Sequence, residues 1–252
     1  MTVIFHRGLH LRDGCFGRVA DAVFARLSIA WSVAHAMFAL CARRGYMGIC
    51  YIIGAGEFGN RVPSPVSGDL VIACDGGYAY CLEKGIGMDL VVGDFDSLGE
   101  VPDHPGVIVL NSEKDETDTG WAVMEGLQRG YRKFVIYGGT GGRISHTIAN
   151  IQLLSDLADK GAEGILMGEH SWYRVIRDGE IHFGARESGF LSVFCLGDRA
   201  SGVYEEGLKY KLEDAVLTKE YPVGVSNEFT GKESKVAVEK GMLLLVQEDK
   251  QA

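Results

Sequence analysis

The chain has 252 residues, a formal net charge of −9, 46% hydrophobic residues and 23% charged residues. That length and balance suit two small globular domains and exclude a disordered or low-complexity chain. An acidic surface repels polyanions, so no nucleic-acid partner is expected, and no apolar stretch reaches the roughly 18 residues that span a bilayer, so no membrane partner is expected either.

The first 46 residues differ from the rest. They hold six Arg and two Asp but neither Lys nor Glu, a net +4 in a chain of net −9. This break fits an upstream extension, with Met47 as the true first residue; a targeting segment and a genuine extra helix are the competing readings. The six Cys form no CxxC pair and mostly sit in apolar runs, as expected of buried free thiols in a reducing cytosol.

From Met47 onward, short apolar runs alternate with turn signals. Strands are predicted over 48–53, 70–75, 90–94, 107–110, 133–138 and 164–168. Several are apolar throughout, as in strands covered on both faces. Between them, a helix is predicted over 119–129 and a clearer one over 144–159, where Ile144, Ile148, Ile151, Leu154 and Leu157 recur at three or four residues before Gly161. Such alternation implies a parallel sheet with helices on both sides. After about residue 170 the pattern changes to short strands alone, at 172–176, 180–183, 189–195, 201–204, 236–238 and 242–246. That is the signature of a β-sandwich or barrel. The fold class expected is therefore α/β: a Rossmann-like parallel-sheet domain over 47–170, then an all-β sandwich domain over 171–252.

Carboxylates gather at the predicted strand ends. Asp75 closes IACD, Asp94 and Asp96 stand in GDFDS after LVV, and Asp115 and Asp118 stand in KDETD beyond VIVLN. The carboxyl ends of parallel strands share one crevice, where ligands bind. Like charges brought there need a neutralising partner, and hard oxygen donors select Mg²⁺. In an extended DFD segment, Asp94 and Asp96 would point the same way and bind one ion together. The alternative for each Asp is a helix cap or turn residue.

Two glycine runs follow strands. YGGTGGRISH at 137–146 precedes the clearest helix; Gly138, Gly139, Gly141 and Gly142 leave amides open to phosphate oxygens, and Arg143 adds a fork of donors. GAGEFG at 54–59 resembles a dinucleotide fingerprint, with Asp75 about twenty residues on. That fingerprint needs a helix, and Pro63 and Pro65 leave no room for one, so an NAD site is disfavoured.

Taken in order, CDGGYAY, GDFDS, KDETDT and GGTGGRISHTIAN, followed by GLKYKL and VSNEF, resemble the thiamine pyrophosphokinase family over about residues 49–247. The resemblance implies a cytosolic homodimer that transfers the diphosphoryl group of ATP to the hydroxyl of thiamine with Mg²⁺, giving thiamine diphosphate and AMP. It assigns Asp75, Asp94, Asp96, Asp115 and Asp118 to Mg²⁺ and phosphate handling, with Asp94, Asp96 and Asp118 nearest the chemistry. Gly76, Lys114, Gly139, Gly141, Gly142, Arg143, Ser145 and His146 fall on the ATP side. Ser226, Asn227 and Phe229 fall on the thiamine side, with Phe229 or Trp172 as a ring for stacking. Many family members carry Asp where this chain has Ser145, a hydroxyl that donates or caps but carries no charge. A non-catalytic binding regulator and a different metal-dependent phosphotransferase are the other functional classes open to the sequence.

Overall fold

The computed structural model describes residues 48–250 apart from positions 97, 112 and 114. The 1–46 extension and Lys114 lie outside the described residues.

Six strands run parallel: β1 (Cys50–Ile53), β2 (Leu70–Cys74), β3 (Leu90–Gly93), β4 (Val107–Val109), β5 (Lys133–Tyr137) and β6 (Glu163–Met167), in the spatial order β6-β5-β1-β2-β3-β4. CYII, LVIAC and LVVG are buried along their whole length, which explains their unbroken apolar character. The chain moves one way from β1 to β4 and the other way through β5 and β6. The order therefore reverses at β1, and the crevice at a reversal point is where open α/β sheets bind ligands.

Among the described residues, three helices follow strands. The first, α1 (Gly77–Lys84), escapes the sequence reading: it has eight residues, begins with Gly and Tyr, and has no side-chain cap. Its one clear signal is Gly85, left-handed at φ 65, whose N–H returns to Cys81 and Leu82. In α2 (Asp118–Gln128) the Thr117 hydroxyl accepts the Gly120 N–H at 3.0 Å, a side-chain cap. The longest, α3 (Ile144–Asp159), has the predicted bounds, but its inward face differs. Asn150, Leu154 and Leu157 are buried, whereas Ile144 is 76% and Ile148 53% exposed. At about 100° per residue, these two isoleucines are turned more than ~100° from the buried stripe. A three-and-four apolar pattern drifts around a long helix, and its early members leave the core.

The second half is antiparallel. β7 (Ser171–Phe183) pairs with β6 through Ile165–Arg174, Leu166–Tyr173 and Met167–Trp172, which joins the two halves into one hydrogen-bonded sheet of twelve strands. β12 (Ser234–Glu248) runs beside β7; its first part pairs β9 (Arg199–Glu206) and its last part β8 (Phe190–Cys195). β10 (Leu212–Thr218) pairs β9, and β11 (Gly224–Glu228) pairs β8. Predicted runs 172–176 and 180–183 merge into β7, and 236–238 and 242–246 merge into β12. The gap between the predicted runs in β12 falls at an irregularity between Val238 and Met242, where Gly241 is left-handed and its N–H donates to Asp178 at 2.7 Å. The architecture is α/β with a mostly β sheet and few helices. Among the described residues, no helix is long and apolar enough to cross a membrane.

Candidate active site

The acidic rim forms where β2 and β3 end. Asp75 leaves β2 in a left-handed conformation (φ 48), and its N–H donates to Val92 at 2.8 Å. A Cβ on Gly93 would stand 3.3 Å from the Asp75 Cα, so the backbone of Asp75 abuts the start of GDFDS. Cys74 donates its thiol to the Asp118 carbonyl at 3.6 Å, which draws the first residue of α2 to the end of β2. Burial pushes the Cys74 thiol well up, so it stays protonated beside these carboxylates. Asp75, Asp94 and Asp118 are half-buried; Asp96 and Asp115 are exposed, the latter on the loop before α2.

The DFD segment is not extended. Phe95 takes a left-handed φ of 59 and is only 2% exposed, and the Asp96 N–H turns back to the Asp94 carboxylate at 3.3 Å. Alternation along a strand therefore does not govern how Asp94 and Asp96 point. Burial of Phe95 through a turn sets the local geometry instead.

In the loop after β5, Gly138, Gly141 and Gly142 are all left-handed, at φ 61, 76 and 55. Arg143 is the N-cap of α3 and offers no side-chain cap, so the helix opens with backbone N–H groups aimed past the end of β5. Arg143, Ser145 and His146 are exposed; Gly139 is buried. Asn150, inside α3, donates to the Gly139 carbonyl at 2.7 Å and pins the loop from below. Sequence reading passes over Asn150; its only signal is an amide in line with Leu154 and Leu157.

The GAGEFG loop has a different role from the one its pattern suggests. No helix follows it, as its prolines require. Gly54 N donates to Tyr137 O at 2.8 Å, Gly56 N to Gly138 O at 2.7 Å, and Glu57 N to Thr140 O at 2.9 Å. A Cβ on Gly54 would lie 2.6 Å from the Gly138 carbonyl. These glycines let one loop lie directly on the other. Phe58 completes the contact, stacked on Tyr80 of α1 with ring centroids 3.5 Å apart.

In the antiparallel half, Ser226 is exposed at φ 59, and its N–H donates to the Ser192 hydroxyl at 3.0 Å. Asn227 is 4% exposed and fully engaged. Its Nδ2 donates to Glu205 at 2.5 Å and to the Tyr210 carbonyl at 2.6 Å, and its Oδ1 accepts from the N–H groups of Tyr210 and Glu228, both at 2.9 Å. Phe229 is also 4% exposed, edge-on to Phe183, with Arg186 over its ring at 5.3 Å. Trp172 is buried as well, against Phe183. Of the residues expected at a thiamine pocket, Ser226 alone is exposed; Asn227, Phe229 and Trp172 are buried.

Two family models match this chain. The thiamin pyrophosphokinase catalytic domain covers residues 66–166, and the thiamin pyrophosphokinase vitamin B1 binding domain covers residues 180–243. The chain belongs to the thiamin pyrophosphokinase family. Thiamine pyrophosphokinase of Bacillus subtilis (strain 168) is 27% identical to it over 184 residues, 70% of this chain and 86% of that protein. Among solved structures, thiamine pyrophosphokinase from Bacillus subtilis covers 81% of this chain and 100% of its own, with a TM-score of 0.72 at 25% identity. A thiamin pyrophosphokinase family protein from Enterococcus faecalis has a TM-score of 0.69 at 26% identity, with 81% and 100% covered. Yeast thiamin pyrophosphokinase, at 15% identity and a TM-score of 0.64, shares the fold over 85% of this chain and 90% of its own.

The catalytic match spans Asp75, Asp94, Asp96, Asp115, Asp118 and the glycine loop. The vitamin B1 match spans Ser226, Asn227 and Phe229. The family's phosphate chemistry implies a divalent cation, and the donors can be tested for fit. Among the described residues, no three His, Cys, Asp or Glu side chains form a group able to hold a metal ion alone. The set still fits Mg²⁺: its members are hard-oxygen donors, Asp96 and Asp115 exposed and the others half-buried, and Mg²⁺ is usually bound by one or two carboxylates, with water and substrate phosphates completing the shell.

Proposed function

We propose that this chain is a thiamine diphosphokinase, transferring the diphosphoryl group of ATP to the hydroxyl of thiamine and releasing thiamine diphosphate and AMP. The observation that carries this reading is the match of a catalytic and a vitamin B1 binding domain of one family, in order, on one chain. The acidic rim and glycine loop at the carboxyl edge of the parallel strands support it. In this reading residues 47–170 are the ATP- and Mg²⁺-binding catalytic domain, and residues 171–252 form a β-sandwich that binds thiamine. Free Cys50, Cys74, Cys81 and Cys195 support a cytoplasmic location. The resemblance to the family is what supports a homodimer.

The reaction must bring an alcohol oxygen to the β-phosphorus of ATP while the phosphate charge is countered. Asp75, Asp94, Asp96, Asp115 and Asp118 are the residues that would provide the one or two carboxylates for Mg²⁺, and the bound ion would supply charge neutralisation on the phosphates. The remaining work falls to the chain. Backbone N–H groups of Gly139, Gly141 and Gly142 and of the first turn of α3 bind phosphate oxygens, with Gly76 letting the chain approach from β2. Arg143 offers two parallel donors, Lys114 a second cation, and Ser145 and His146 further donors. One carboxylate among Asp94, Asp96 and Asp118 accepts the hydroxyl proton. The segment 226–229 holds thiamine, with Ser226 as the contact and Asn227 and Phe229 behind it.

Incubating the protein with ATP, Mg²⁺ and thiamine tests this directly. Equal amounts of AMP and thiamine diphosphate are expected. Tight thiamine binding without AMP would make the chain a binding regulator, and ADP as the nucleotide product would make it a different phosphotransferase.

A further inference from the structure

Glu205 of β9 carries a carboxyl group in the interior of the antiparallel half, at 1% exposure. One oxygen accepts the Asn227 amide at 2.5 Å; the other is buried with no hydrogen-bond partner among the described residues. An acid in such a place costs desolvation energy, and a leucine would satisfy an ordinary strand interior. A purely structural brace does not require it either, because the Tyr210 backbone already holds Asn227 through both its N–H and its carbonyl.

What the carboxyl adds is a second acceptor on the donor side of the amide, which reinforces the orientation that the Tyr210 backbone selects. An amide side chain presents an oxygen on one side and two N–H donors on the other, and a group that accepts fixes which side faces it. With Nδ2 held by Glu205, Oδ1 is left to receive the amides of Tyr210 and Glu228. This sets the 207–211 turn on β11: Lys209 N donates to Glu228 O at 3.0 Å, and Leu208 bridges Phe229. The two segments GLKYKL and VSNEF thus become one surface, whose exposed members include Ser226, next to Asn227 and left-handed, and Tyr210 at 59% exposure, with Lys209, Lys211 and Val225 around them. Gly224 closes the assembly: a Cβ there would sit 2.6 Å from the Val193 carbonyl and 3.4 Å from the open Glu205 oxygen.

We infer that Glu205 is a positioning residue for thiamine, acting through Asn227 to fix Ser226 and the Tyr210 turn against the ligand. The inference rests on the thiamine reading proposed above. Its chemistry predicts a role in binding, remote from the phosphates.

The test compares Glu205→Leu and Glu205→Gln with the wild-type full chain, measuring kcat, both KM values, and the Kd for thiamine by calorimetry. Loss of one well-placed buried hydrogen bond corresponds to roughly a tenfold effect. Glu205→Leu should raise the thiamine KM and Kd by about that factor and leave the ATP KM and kcat within about twofold. Glu205→Gln keeps an acceptor for Asn227 and should recover most of the affinity. If the Leu variant does not fold, Asn227→Asp, which puts an acceptor where the donor stood, should raise the thiamine Kd by at least as much. Wild-type thiamine affinity in the folded Leu variant, or in Asn227→Asp when Leu fails to fold, overturns the inference, as does an equal rise in both KM values. A wild-type protein that binds no thiamine removes the functional reading itself, and this inference with it.

Discussion

Asp94 and Asp96 test the acidic rim at the scale of single residues. Replacing either with Asn keeps its size and removes its charge. Turnover of ATP and thiamine should fall by at least about a hundredfold, because phosphate charge would lose a principal counterweight, while thermal unfolding stays near wild type. Near-normal rates in a folded Asp94→Asn, Asp96→Asn double variant would remove the rim from the mechanism. Glu205 offers a second test at this scale. Burial raises its carboxyl from the ordinary 4.5 to about 7. Between these values the folded chain keeps a proton that the unfolded chain releases, so rising pH favours unfolding. The stabilisation is complete below about pH 4.5 and is lost as pH passes 7, on the order of 3 kcal/mol in total. Denaturant unfolding at pH 5 and pH 8 should show this difference in the wild type and a much smaller one in Glu205→Leu. Equal slopes in both would place the titration elsewhere.

Loops laced to loops set the site at the scale of elements. The phosphate-side loop after β5 is held by the GAGEFG backbone on one side and by Asn150 of α3 beneath. Adding a methyl at Gly54 would drive it into the Gly138 carbonyl, 2.6 Å away. Both partners are backbone, so neither yields cheaply. Gly54→Ala should therefore raise the ATP KM several-fold and lower stability by roughly 1–3 kcal/mol, the usual range for overpacking. Its thiamine Kd, measured without ATP, should not change. Asn150→Leu would leave the Gly139 carbonyl unpaired in the interior and cost about 1–3 kcal/mol. Comparable ATP KM values in both variants and the wild type would show that the loop has no part in nucleotide binding.

A latch near the C-terminal end of the described chain links distant parts of the molecule. Asp249 accepts from Arg61 at 2.7 Å and from Arg186 at 2.7 Å, and its N–H donates to His170 O at 2.8 Å. Arg61 belongs to the loop after β1, and Arg186 lies over Phe229 in the second half. The pairs are partly exposed, so solvent screening limits their value to about 1 kcal/mol. Asp249→Ala should lower the melting temperature by a few degrees, and added salt should shrink the difference from wild type. An effect insensitive to salt would mean lost packing and not lost charge.

Much of this molecule is legible in its sequence because buried parallel strands must be apolar throughout and turns must follow them. LVIAC, LVV and KFVIY announce themselves in that way, as do the acids and glycines placed just after strands, and Pro63 and Pro65 exclude a helix after GAGEFG. Where a local rule has a close competitor, the chain alone does not decide. Leu212–Thr218 and Gly224–Glu228 alternate too weakly to read as strands and exist because β9 and β8 pair with them. Ile144 and Ile148 fit a helical stripe, yet the sheet lies under Asn150, Leu154 and Leu157. Asp94 and Asp96 look like alternating strand residues, but burial of Phe95 bends the chain between them. Glu205 reads as one more acid in an acidic protein. Local periodicity and turn chemistry therefore determine the elements and the residues gathered at their ends; which face is buried, which loops touch and which polar group lies inside depend on contacts between segments far apart in the chain, and these arise only on folding.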